Sequence, residues 1–131
     1  MYTYFAKTKE YLQDLNYNII KEIESEGIFL IEKENFGIKN LIIGVAYPIL
    51  IMEQFIFKVA EPNEAMFKEL LKKNRDIIHG AFVLDETGQR VIFRDTLQLE
   101  NLDKNELEAS LNSLSVLLSE YTEEIIQFSK Y

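Results

Sequence analysis

MFKELLKKNRDIIHGAFVLDETGQRVIFRDTLQLENLDKNELE, residues 66–108, carries most of what this chain states about its fold. Met66, Phe67, Leu70 and Leu71 recur at helical spacing, and Pro62 before them suits the first position of a helix because its missing N–H has no partner there anyway. Asn74 reads as a left-handed helix stop, since Asn tolerates positive φ better than any residue but Gly. Asp85-Glu86-Thr87-Gly88 has the Asp and Gly of a type I turn with a glycine bulge, which closes a hairpin with Val83 opposite Val91, Phe82 opposite Ile92 and Ala81 opposite Phe93. Asp103 and Glu106 then form a capping box, in which carboxylates satisfy the free N–H groups of a new helix. Leu107, Leu111, Leu114, Leu118, Tyr121, Ile125 and Phe128 continue that helix for about 39 Å at about 1.5 Å per residue.

Working outward, residues 3–15 space Phe5, Tyr11, Leu12 and Leu15 as a first amphipathic helix. Between Tyr17 and Val59 the chain becomes rich in β-branched and aromatic residues. Ser25-Glu26-Gly27, Glu34-Asn35-Phe36-Gly37 and Ala46-Tyr47-Pro48 separate the runs, as turn chemistry separates strands. The run Ile49–Val59 is long for a strand and predicts a bend or bulge near Glu53-Gln54. The expected fold is α+β: an antiparallel sheet with three helices in the order α-β-β-β-α-β-β-α, one domain over residues 1–131.

Composition bounds the function. Asp and Glu number 22 against 14 Lys and Arg, a net charge of −8, and a surface of that sign repels phosphate backbones, so no nucleic-acid partner is expected. The absence of cysteine excludes disulfides, thiolate catalysis and cysteine-bound metals. Lys7, Lys9 and Glu10 interrupt what would be a signal-peptide core, and Tyr47–Met52, the longest apolar run, is far shorter than the roughly 20 residues of a membrane helix. A cytoplasmic protein without a membrane partner is expected.

Several strands are apolar on both faces. Ile28 and Leu30 oppose Phe29 and Ile31, and Ile49, Ile51, Phe55 and Phe57 oppose Leu50, Met52 and Ile56. Such strands want cover on both sides. Either the helices wrap both faces, or an apolar patch remains for a second copy or another protein. Phe29, Ile31, Val83, Val91 and Phe93 are the expected partner-binding positions. Chemistry is scarce: His79, the one histidine, has no partnered nucleophile, no two acids stand out as a pair, and the glycines are too scattered to cradle a phosphate. No enzyme activity, catalytic residue, metal or cofactor is expected. Arg94-Asp95 inside a strand must be paired to persist, and Arg75, His79, Arg94 and Asp95 are read as a structural ion-pair network. Lys68, Lys72, Lys73 and Arg75 form a small basic patch on the second helix.

The Leu70-Leu71-x-x-Asn74 helix end, Gly80-x-Phe82, Asp85-x-x-Gly88 and Leu102-Asp103 together resemble the YbjN family, whose members share the fold of type III secretion chaperones. The resemblance is closest over Phe67–Leu107, with the first half matching only in pattern. It implies a small acidic homodimer with an apolar surface for an extended partner segment. The reading is therefore a non-enzymatic, chaperone-like protein-binding module. Its alternative is a cytoplasmic regulator or small-ligand sensor, which would need an enclosed pocket.

Overall fold

The computed structural model describes residues 3–130. Helix α1 (Tyr4–Asp14) leads into a meander of β1 (Asn18–Ile23), β2 (Ile28–Lys33), β3 (Ile38–Ala46) and β4 (Ile49–Lys58). Then come α2 (Glu64–Asp76), the hairpin β5 (Ala81–Leu84) and β6 (Arg90–Gln98), and helices α3 (Lys104–Glu120) and α4 (Thr122–Lys130). The strands make one antiparallel sheet in the order β1-β2-β3-β4-β6-β5. The α+β class holds, with one more strand and one more helix than the sequence order predicted. Asn18–Ile23 is a strand in its own right, and the final helix breaks at Tyr121. Next to the break stands Thr122, whose hydroxyl donates to the Leu118 carbonyl one turn back, a bond that bends helices.

Local chemistry sets the element ends. Thr3, Asn63 and Asp103 cap α1, α2 and α3, each side chain accepting the N–H of the residue three further on. Pro62 thus stands just ahead of the cap, not inside the helix. Asn74 is not a stop: α2 runs past it to Asp76, and its carboxamide instead brackets Phe82 of β5. It accepts the Phe82 N–H at 2.7 Å and donates to the Phe82 carbonyl at 3.1 Å. At the tip of the β5–β6 hairpin, Thr87 donates to the Asp85 carboxylate at 2.7 Å and holds its pKa below the usual carboxylate range. Between β1 and β2, Gly27 takes φ +70°, and a Cβ there would lie 2.4 Å from the Val45 carbonyl oxygen, so the turn tucks against β3 only because the residue is glycine.

The hairpin register differs by one residue from the expected one. Asp85 N–H bonds the Arg90 carbonyl at 3.1 Å, leaving four loop residues where three were expected. Leu84 then faces Val91, Val83 faces Ile92 and Phe82 faces Phe93. A slip of one residue exchanges the two faces of a strand, so Phe82, not Val83, shares a face with Phe93. The expected irregularity in β4 is present as a bulge between Phe55 and Phe57.

The core lies on one side of the sheet. Phe29, Ile31, Leu41, Ile43, Leu50, Met52, Val91 and Phe93 are fully buried there with Leu12 of α1 and Leu107, Leu111 and Leu114 of α3. Phe5 of α1 stacks on Phe29 with ring centres 4.2 Å apart, and Phe128 of α4 lies 6.0 Å from Phe57.

Tyr17, just before β1, is buried with its hydroxyl unpartnered. Burial, and secondarily the Glu108 carboxylate, push its pKa up to about 12. The raised value means that the neutral phenol favours the folded state. Its contribution is complete below about pH 10 and is lost as pH rises through about 12. In Tyr17→Phe the alkaline loss of stability should shrink, while stability at pH 7 should stay equal or rise by about 1 kcal/mol, because an orphaned hydroxyl is removed. Urea unfolding at pH 7 and pH 11 measures both.

Candidate protein-binding face

Alternation along the strands leaves a second face, and the side chains through which α1, α3 and α4 meet the sheet lie on the first. Cross-strand register aligns its residues in rows. Ile23, Ile28, Gly44 and Ile51 form one; Lys21, Leu30, Ile42, Glu53 and Arg94 the next; Phe55, Ile92 and Val83 a third. Ile42 is 46% exposed, Phe55 53% exposed and Lys21 exposed, while the others are half-buried against their neighbours. Gly44 leaves a dip between Ile28 and Ile51. Large β-branched and aromatic side chains recur in adjoining rows and give this face an apolar character, the kind that marks a protein interface.

One charged pair stands inside it. Arg94 and Glu53 face each other across β6 and β4 and form an ion pair. At such exposure the pair adds about 0–1 kcal/mol to stability. Its larger effect is on binding, because an occupant must leave the pair intact or supply its own polar groups.

The structure separates residues that the sequence had grouped. Among the partner-binding positions, Phe29, Ile31, Val91 and Phe93 belong to the core side, and only Val83 lies on the uncovered face. The expected ion-pair network does not assemble. Neighbouring residues on a strand point to opposite sides, so Arg94 meets Glu53 on one face while Asp95 accepts the Ser110 hydroxyl on the other. His79 takes part through its backbone, whose carbonyl accepts Ser113 Oγ at 2.8 Å. Arg75 is exposed on α2. The basic patch is largely neutralised, since Lys68 pairs with Glu64, Lys72 with Glu69 and Lys73 with Glu124. Sequence reasoning missed Ile42, Phe55 and Ile92. The signal for them was the parity opposite to Phe29, Leu41 and Phe93, which is readable only once the register is known.

Among the described residues, no three His, Asp or Glu side chains gather to hold a metal, and no helix is long and apolar enough to cross a membrane. The CesT_Tir_1 family model matches residues 1–131. The chain belongs to the CesT_Tir_1 family. This is a type III chaperone family, and the solved structures agree with CesT_Tir_1 membership at the level of the fold. YbjN from E. coli superposes with a TM-score of 0.71 at 12% identity, over 92% of each chain. A chain of the HopA1–SchA chaperone–effector complex gives 0.61 at 14% identity, over 97% of this chain and 94% of that one. The Yersinia pestis type III secretion chaperone SycH, solved with a stable fragment of YscM2, gives 0.59 at 15% identity, over 97% and 100%. No curated protein sequence matches the chain. The expected YbjN-like, secretion-chaperone-like fold is therefore the fold of this CesT_Tir_1 member.

Proposed function

We propose that this protein is a non-enzymatic, chaperone-like binding module that works as a homodimer in the cytoplasm and holds an apolar segment of a partner protein. The observation that carries the reading is the uncovered sheet face: Ile28, Leu30, Ile42, Phe55 and Ile92 in adjoining rows, with α1, α3 and α4 packed on the other side. Membership of a chaperone family, and the likeness to chaperones solved with protein partners, support it. Association would remove apolar surface from water at about 25 cal/mol per Å².

The double substitution Ile42→Asp/Phe55→Asp tests the face. Both side chains are half exposed, so folding stability should stay within about 1 kcal/mol of the parent. Stoichiometric capture of a partner protein from host extract should be abolished. Capture equal to that of the parent chain would remove the face from consideration. Light scattering at micromolar concentration should give twice the chain mass; the mass of one chain overturns the homodimer.

A further inference from the structure

The uncovered face differs in charge from the chain as a whole. Strand parity places Lys21, Lys58, Arg90 and Arg94 on it, with Glu32 and Glu53 as the acids of the same parity. Cations thus outnumber carboxylates there, in a chain whose net charge is −8. Glu53 is taken by Arg94, and Glu32 accepts from the Asn18 carboxamide at 3.2 Å. Lys21, Lys58 and Arg90 are left, and the last two stand directly opposite each other across β4 and β6, both exposed. Among the described residues neither makes an ion pair. Asp85, in the adjoining turn, accepts from the Thr87 hydroxyl and from the Arg90 backbone N–H. The Arg90 guanidinium lies 5.6 Å from the centre of the Phe55 ring, so the two cations border the apolar rows at their exposed ring.

Like charges directly opposite each other in a sheet oppose folding. Both strands are inner ones, so the pair does not guard an open sheet edge, a common use of exposed lysines. We propose that Lys58 and Arg90 recognise a carboxylate of the partner protein, an Asp or Glu beside the apolar side chains that the face receives. This rests on the protein-binding reading above and adds the chemistry of the partner to it. A carboxylate set between the two cations relieves their repulsion, and the planar fork of Arg90 suits its two oxygens. The apolar neighbours of that carboxylate then fall on Phe55 and Ile92, which occupy the next row. A nucleic acid is a poorer occupant, because it brings a run of phosphates against a chain of net charge −8. A second copy presenting the same face sets cation against cation.

A phage-displayed library of linear twelve-residue peptides, selected on the full-length chain, supplies the probe. Enriched peptides should carry an Asp or Glu beside apolar residues, and their affinity should fall as salt rises. Replacing that acid by its amide in the peptide, or Lys58→Gln/Arg90→Gln in the protein, should each weaken binding about tenfold. The two changes together should weaken it no more than either alone. Selection on Lys58→Glu/Arg90→Glu should return peptides with Lys or Arg in place of the acid. Lys58→Glu alone sets opposite charges across the strands, so melting should hold or rise while binding falls, which separates recognition from folding. No enrichment, enriched peptides without acids, or acids whose removal leaves affinity unchanged overturns the carboxylate. Loss of such acid-free peptides in Ile42→Asp/Phe55→Asp then keeps the apolar face as the binding surface. Peptide binding untouched by Ile42→Asp/Phe55→Asp removes the face, and this proposal with it. An oligonucleotide that binds the parent chain and not Lys58→Glu/Arg90→Glu assigns the pair to phosphate and also overturns the proposal.

Discussion

Phe93→Ala should lower unfolding free energy by about 3–5 kcal/mol, the largest single effect expected of any side chain here. Phe93 is fully buried at the centre of the covered face, cross-strand from Gln54 of β4 and Phe82 of β5. It also sets the approach of the loop before β5, for a Cβ on Gly80 would lie 2.3 Å from its ring. Removing the ring leaves a void bounded by two strands and a loop that have little room to collapse, so the cavity adds to the lost burial. Against a typical total of about 5–15 kcal/mol, melting should fall by roughly 10–20 °C. Phe29→Ala should behave alike, since that ring is fully buried under Phe5. Ile92→Ala, one residue away from Phe93 but on the uncovered face, should lose only about 1 kcal/mol. Equal losses at Ile92 and Phe93 in urea titrations would contradict the assignment of the two faces.

Asn74→Leu should lose about 2–4 kcal/mol. Phe82 is the buried residue of a four-residue edge strand, and Asn74 satisfies both its N–H and its carbonyl on the side where a further strand would pair. Leucine keeps the size of the side chain and leaves two backbone groups without partners. Asn74→Asp should lose roughly half as much, because it keeps the acceptor for the shorter bond and loses the donor. Exchange of the Phe82 amide should quicken in both variants before global unfolding, a local loosening measurable by mass spectrometry or NMR. Since this carboxamide occupies the edge, its loss should also expose β5 to pairing with other chains and raise aggregation on heating.

Elements with local causes were legible in the sequence. The Asp103 cap, the Asp85–Gly88 turn, the β4 bulge and the leucine stripe of the last helix each follow from residues within a few positions. The binding face was legible as a need and not as a location. Strands apolar on both sides left two outcomes open, helices over both faces or one face without cover, and which β5 residues join the uncovered face depends on a single loop residue between Asp85 and Arg90. With three loop residues Val83 would have joined Phe93; with four it joins Ile92. Asn74 was legible as special but for the wrong reason, because its partner Phe82 is recognised through space and not through the helix it sits on. Arg94 and Asp95 were legible as charges needing partners, and strand parity sent them to different ones.

Because β4 meets β6 and not β5, the molecule closes its sheet late. The four strands up to Lys58 are joined by tight turns and zip up from local contacts, whereas β6 reaches β4 only after the helix and strand between them are in place. Local hairpins form fast and long closures slowly. On a ribosome the N-terminal meander emerges first, with the side chains that α3 will bury still bare. Until α3 and α4 arrive, at about 5–20 residues per second, the growing chain carries two apolar sheet faces where the folded one carries a single face. The holder of other chains that we propose therefore spends its first seconds as a chain in need of holding.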